Sequence, residues 1–321
     1  MFTFKVAQGT MTLSLVALAG LFAVVTGIND GGAVLGTGMK VPRLRPFFGL
    51  LGLMAAVAFV PLVTAMVATT FTSRLASLQG AHGRAAMAIA VLAAIAVVTV
   101  LNDRGWPTSL TLAIVGAVTG AALGWDLPVS PGGVTFVLVV GLAAPFAGAL
   151  VAVLVRRMLI LLATGATLPA WHRWGFALQC LAYGANDGQK MLAVFMVALG
   201  FTGAPLTVCA VIAVLFGLGA LYGLPRAGRT LSREIIASRP LHAVSAEVAG
   251  GVTVLGCAAA GAPVSMTQAL AGALIGAGVS ESARRIRWPA TARILLAWLL
   301  TLPVSGLVAG AAALAVRGVT A

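Results

Sequence analysis

Gly184-Ala185-Asn186-Asp187-Gly188-Gln189-Lys190 lies inside a run of apolar residues, and its reading decides the fold. An aspartate or a lysine at the centre of a bilayer costs about 2.5–3.5 kcal/mol on insertion scales. A chain that keeps both there uses them for structure or for chemistry. Outward from this stretch, runs of roughly 20 apolar residues, enough to cross a hydrocarbon core of about 30 Å, recur along the whole sequence. They start near Met11, Phe47, Ala85, Pro107, Gly132, Gly175, Pro205, Ala243, Pro263 and Ile294. Ten such segments predict an all-α integral membrane protein. Composition agrees, because only 8% of the residues are charged, against about 25% in soluble domains. Lys5 ahead of the first run resembles a secretory signal. That run leads into Gly27-Ile28-Asn29-Asp30 with no clear cleavage pattern, however, and reads as a retained helix.

The opening stretch has a twin. Gly27-Ile28-Asn29-Asp30-Gly31 precedes it by 157 positions. A second pair, Pro107-Thr108-Ser109-Leu110-Thr111 and Pro263-Val264-Ser265-Met266-Thr267, is separated by 156. The match runs on, with Gly116, Ala117 and Gly120 answering Gly272, Ala273 and Gly276. Two motif pairs in one order, at nearly one offset, indicate a duplication. Residues 1–157 form the first transmembrane repeat and 158–321 the second. Five crossings per half turn the second repeat upside down, with broken or hairpin helices at the motifs. Small residues four apart let membrane helices pack closely, which is the reading for Gly116, Gly120, Gly272 and Gly276.

The net charge of +13 does not mark a nucleic-acid binder, since the basic residues lie between apolar segments. Lys5, Arg74, Arg84 and Arg317 fall on one side of the membrane and Lys190 within a segment, which leaves the other 15 of the 20 lysines and arginines on the opposite side. The positive-inside rule places those 15 in the cytoplasm and both termini outside. Cys180, Cys209 and Cys257 lack metal-type spacing and read as packed thiols. The histidines His82, His172 and His242 form no paired ligand motif.

Chemistry then concentrates on a few residues. Asn29-Asp30 and Asn186-Asp187, flanked by glycines, predict unwound helix whose oxygens suit a small cation such as Na⁺. The alternative is that each aspartate caps a half-helix, or that Asp187 pairs with Lys190. Ser109, Thr111, Ser265 and Thr267 should open helices, where free amide donors and the dipole favour an anion. Simple N-capping competes with that reading. Lys190 serves either the anion or Asp187. Glu247 is a cation ligand, a proton carrier or a partner for a neighbouring helix, and Gln268 lines the path. Two intramembrane aspartates can also be a protease pair, but such aspartates sit in dissimilar motifs, and these are copies. No enzyme is expected.

At these residues the sequence resembles the inorganic phosphate transporter (PiT) family of phosphate permeases. Gly184 to Lys190 is similar to the family's second-half signature, Gly27 to Asp30 to a weaker first copy, and Pro263-Val264-Ser265 with Thr267 to its later signature. The resemblance implies a symporter that carries inorganic phosphate across the cytoplasmic membrane, driven by Na⁺ or H⁺. It implies phosphate at Ser109, Thr111, Ser265 and Thr267 and the coupling ion at Asn29, Asp30, Asn186 and Asp187; the residues themselves add Gln268 and Lys190 to the expected phosphate site and Glu247 to the coupling site. Sulfate or a related oxyanion is the alternative substrate. No cofactor beyond the coupling ion is implied, the bilayer is the surrounding partner, and a homodimer is allowed. The chain departs from the family pattern at Leu110, Leu112, Met266 and Gln268, at Gly31-Gly32-Ala33, and at Val91, which stands where the repeat would place a counterpart of Glu247.

Overall fold

The computed structural model describes residues 2–38, 45–104, 106, 108–234 and 239–320. The elements are α1 (Phe2–Thr26), α2 (Gly32–Gly38), α3 (Pro46–Val63), α4 (Met66–Thr69), α5 (Gly80–Asp103), α6 (Leu110–Gly124) and α7 (Pro131–Leu162). After a turn come α8 (Leu168–Tyr183), α9 (Gln189–Leu199), α10 (Leu206–Glu234), α11 (Pro240–Ala259), α12 (Met266–Val279) and α13 (Trp288–Thr320). The chain is helical at every one of the ten predicted places. The expected boundary at Arg157 lies within α7, and the next turn of the chain falls at residues 163–167. Pro107 lies outside the described residues.

Among the described residues, seven helices are long and apolar enough to cross a membrane: Thr12–Gly36, Pro46–Val63, Gly80–Asp103, Pro131–Leu162, Leu206–Leu224, Pro240–Ala259 and Trp288–Val319. The segment at Gly175 lies in helix running from Leu168 to Leu199, whereas α6 and α12 differ from the expectation of full spans. At 15 and 14 residues and 1.5 Å per residue, α6 and α12 reach only about 22 Å and 21 Å. Each packs back on the helix before it, α6 on α5 and α12 on α11, as a helical hairpin.

Packing between the halves is reciprocal. α10 of the second half lies against α1 and α2, and α3 of the first half lies against α8. α6 packs on α13, and α12 packs on α7. Each half therefore buries its motif-bearing helices against the other half.

Glycines permit these approaches. A Cβ on Gly116 or Gly120 would collide with the Leu302 or Gly306 carbonyl, and one on Gly272 or Gly276 with the Pro145 or Ala149 carbonyl. The close-packing reading of these four glycines agrees with that geometry.

The glycines of the Asn–Asp motifs do something other than expected. The helix is not unwound at Gly27–Gly31 or Gly184–Gly188. It widens into one π-helical turn in each case, with right-handed backbone angles at Gly32, Gly184 and Gly188. A Cβ at Gly27 would meet the Phe216 carbonyl and one at Gly184 the Ala56 carbonyl. These glycines admit the neighbouring helix, α10 or α3, rather than a left-handed bend.

At one end of the bundle, Glu281 ties three elements together. Arg239 and Arg285 each donate to it at 3.0 Å, His242 Nε2 is 2.7 Å away and Arg156 3.6 Å. These four partners come from α7, the start of α11 and the turn before α13.

Helix approach generates the first prediction. Gly120→Ala should lower the melting temperature of the purified protein by the equivalent of about 1–3 kcal/mol, the usual cost of overpacking. Gly132→Ala, where a Cβ meets nothing within 4 Å, should leave it unchanged. Equal shifts in the two variants would show that the α6–α13 contact is looser than its geometry.

Candidate functional site

Asp187 and Lys190 are one helical turn apart on the second π-helical turn and the start of α9, and both are buried. The Lys190 ammonium lies 2.7 Å from Asp187 Oδ1, 2.7 Å from Thr111 Oγ1 and 2.6 Å from the Val264 carbonyl. An ammonium has three protons, and all three are engaged. Thr111 belongs to α6 of the first half, and Val264 immediately precedes α12. One side chain thus joins both halves.

Asn186 completes the connection to Val264. Its Nδ2 donates to the Val264 carbonyl at 2.6 Å, and its Oδ1 accepts from the Val264 N–H at 3.1 Å. The same Nδ2 also donates to Asp187 Oδ2 at 2.9 Å. This two-point clamp fixes the backbone at the entrance to α12.

The first half builds the equivalent junction less directly. Asn29 donates to Asp30 Oδ1 at 3.0 Å, but it does not reach Thr108, the residue that matches Val264. Asn102, at the end of α5, stands between them. It donates to Asn29 Oδ1 at 3.3 Å and accepts from the Thr108 N–H and Oγ1 at 3.2 and 3.1 Å. Asn102 is exposed and Asn29 half-buried, whereas Asn186 is fully buried.

Asp30 and Asp187, 157 residues apart in sequence, line one small cavity. Phe22, Thr26, Leu110, Thr111, Ile114 and Lys190 complete its lining. Of the predicted site residues, the structure therefore brings Asp30, Thr111, Asp187 and Lys190 to one wall. Asn29 and Asn186 support them from the next layer.

Ser109 and Ser265 stand at the N-termini of α6 and α12 as expected, and both act as N-caps. Ser109 Oγ accepts from the Leu112 N–H at 3.3 Å and Ser265 Oγ from the Gln268 N–H at 3.4 Å. Capping uses an oxygen lone pair and leaves the hydroxyl proton to donate. Ser265 and Thr267 hydroxyls are 2.9 Å apart, and Gln268 is buried, its Oε1 without a hydrogen-bond partner among the described residues.

Glu247 is not part of the cavity wall. Its Oε2 lies 2.7 Å from His172 Nδ1, both groups being buried between α11 and α8. His172, read from sequence as unpaired, thereby acquires a partner 75 residues away. Gln189 was also missed. Its Oε1 accepts from the Val67 and Ala68 N–H groups at 2.8 and 3.2 Å, which caps α4. Nothing in the repeat register marked Asn102, whose counterpart at that offset is Ala258, and a backbone carbonyl such as that of Val264 has no sequence signal at all.

Comparison with known proteins agrees with the motif reading. Residues 175–309 match the model described as the phosphate transporter family. A probable low-affinity inorganic phosphate transporter of Mycobacterium tuberculosis (strain H37Rv) is 32% identical over 222 residues, 64% of this chain and 53% of that protein. A protein of the same description from Rhizobium meliloti is 28% identical over 223 residues, 64% of this chain and 66% of that one. The chain spans about half the length of the mycobacterial relatives it matches. A solved structure titled the sodium-dependent phosphate transporter superposes with a TM-score of 0.83 over 97% of this chain and 100% of that one, at 15% identity. That likeness shows the fold. The resemblance to the phosphate transporter family is borne out, and the matched proteins are named as transporters, not enzymes.

The two junctions predict unequal costs. Asn186→Leu strands buried polar groups of Val264, at about 1–3 kcal/mol for each group left unpaired. Asn102→Leu exposes its former partners to solvent and should cost about 0.5–1.5 kcal/mol. Thermal unfolding of the two purified variants should therefore show the larger drop for Asn186→Leu, and the reverse order would contradict the direct-clamp geometry.

Proposed function

We propose that this protein is a secondary active transporter that carries inorganic phosphate across the cytoplasmic membrane, driven by a Na⁺ or H⁺ gradient. The observation that carries the reading is the meeting of Asp30 and Asp187 in one cavity beside the α6 N-terminal turn. Substrate hydroxyl donors and a cation-attracting carboxylate are then neighbours, so binding of one favours the other. The two halves act as inverted repeats that rock about this cavity. Their reciprocal packing, α10 on α1 and α3 on α8, supports that arrangement. The excess of basic residues in alternate loops supports cytoplasmic placement of those loops and external termini.

Phosphate is favoured over sulfate by acceptor chemistry. Hydrogen phosphate carries a proton that it can donate to a carboxylate or a carbonyl, and sulfate carries none. Among the described residues the Asp30 carboxylate receives one hydrogen bond, from Asn29, which leaves acceptor capacity facing the cavity. Ser109, Thr111, Ser265 and Thr267 supply hydroxyls, and the helix N-termini supply partial positive charge. Thr26, Asp30, Thr111 and Asp187 offer only oxygen to the cavity, which fits a hard ion such as Na⁺. Lys190, with all three protons engaged, has none free for an anion in this structure. Uptake of radiolabelled phosphate and sulfate into proteoliposomes under imposed Na⁺ and H⁺ gradients tests the reading directly. Failure to accumulate either anion under any gradient would remove it.

Two substitutions refine this test. Ser265→Ala and Ser109→Ala each delete a donor to a charged group, worth about 1.5–3 kcal/mol. Apparent phosphate affinity should fall roughly 10- to 150-fold, and unchanged affinity in both variants would displace the anion from the helix ends. Asp30→Asn and Asp187→Asn should each abolish gradient-driven accumulation in protein that remains inserted and thermally stable. Slow exchange of phosphate down its own gradient should persist. A stable variant that concentrates phosphate at the unmodified rate, with the same ion dependence, would take that aspartate out of coupling.

A further inference from the structure

The four residues that meet at the Lys190 ammonium can be set beside their counterparts at the repeat offset. Asp187 answers Asp30 and Thr111 answers Thr267, while Val264, which contributes only its backbone carbonyl, answers Thr108. The oxygen donors are thus repeated in kind. Lys190 answers Ala33, which is apolar and buried. The oxygen donors recur in the repeat register and the ammonium does not.

The geometry around the ammonium is that of a coordinated cation. A carboxylate, a hydroxyl and a carbonyl from three separate elements hold Nζ at 2.6–2.7 Å. Those are the oxygen types that broken helices of transporters use to bind coupling ions. Charge tells the same story. Asp187 and Lys190 are ion-paired, which leaves Asp30 as the cavity carboxylate with no ion pair among the described residues. A buried charge without a partner is strongly disfavoured, and one small cation at Asp30 would neutralise it. No second cation is needed, because the lysine already supplies that charge.

We infer that the Lys190 ammonium is a tethered cation occupying the place where the second half would otherwise bind a free one. This protein then exchanges one coupling cation per cycle, at Asp30. The inference rests on the proposed cation-coupled transport, but its test does not require phosphate. Lys190→Ser removes the ammonium, opens space beside Asp187 and adds an oxygen donor. Melting of the purified full-length variant is followed against Na⁺, Li⁺ and K⁺, with choline chloride holding ionic strength constant.

The expected result is a new, saturable rise in melting temperature with a small alkali cation, absent from the unmodified protein, since a ligand that binds only the folded state stabilises it. Adding Asp187→Asn should abolish that new response, whereas adding Asp30→Asn should leave it. Lys190→Gln, which preserves length and polarity, is read in the same way should the serine variant not fold. A folded variant whose melting responds to cations only as the unmodified protein does would overturn the inference. So would one that loses phosphate-induced stabilisation without gaining a cation response, because Lys190 would then be an anion ligand. If the new cation response appears while the unmodified protein fails to take up phosphate, the transport reading falls and the tethered cation stands.

Discussion

An ammonium and two carboxylates placed inside an apolar bundle must be answered by polar atoms, and that demand organises this molecule. Water is scarce in such surroundings, so each unsatisfied charge or backbone dipole costs several kcal/mol. The answer is assembled from distant parts of the chain. Asp187 comes from a π-helical turn, Thr111 from a helix of the other half and Val264 from the entrance to α12. Asp187 reaches the ammonium along its own helix, whereas Thr111 and Val264 reach it only because their elements pack closely against that helix. The glycine contacts of α6 with α13 and of α12 with α7 supply that approach. Packing and electrostatics are therefore one problem, solved by small residues around a few charged ones.

Much of this was legible in the sequence because it was written twice. The Asn–Asp and Pro-x-Ser-x-Thr pairs pointed to Asp30, Thr111 and Asp187, which the fold brings to one cavity, and small residues at four-residue spacing pointed to the tight contacts. Ten apolar runs located the helices. The reading failed where the physics is tertiary. The glycines around Asn29 and Asn186 looked like hinges, but their missing side chains make room for α10 and α3. The lengths of α6 and α12 were overestimated because apolar residues continue into turns and hide the helix ends. His172 and Glu247 gave no joint signal, being 75 residues apart on helices whose packing sequence periodicity does not specify.

The halves have also diverged in a consistent direction. The positions that match His172 and Glu247 at the repeat offset are Leu15 and Val91, both fully buried. One repeat holds an acid–base pair where the other holds hydrocarbon. Buried ionic pairs seldom add stability over a well-packed apolar pair of similar volume, so stability alone does not account for the second-half pair. The clamp to the following helix shows the same trend, being direct and buried at Asn186 and relayed through exposed Asn102 in the first half. The second repeat is the sealed and chemically loaded half. The first half leaves its buried aspartate with a single hydrogen bond among the described residues.

That division has a mechanical consequence. Any motion that shifts α6 relative to the second π-helical turn must stretch the bond from Lys190 to Thr111, because the same ammonium is held to Asp187 and Val264. A bond donated by a charged group contributes about 1.5–3 kcal/mol, comparable to the free-energy gap between two states of a protein that populates both. Whatever enters the cavity beside Asp30 changes the field at the ammonium only a side chain away. Charge compensation at Asp30 and the grip of Lys190 on the first half are consequently linked, and the link runs through one cation that never leaves the protein.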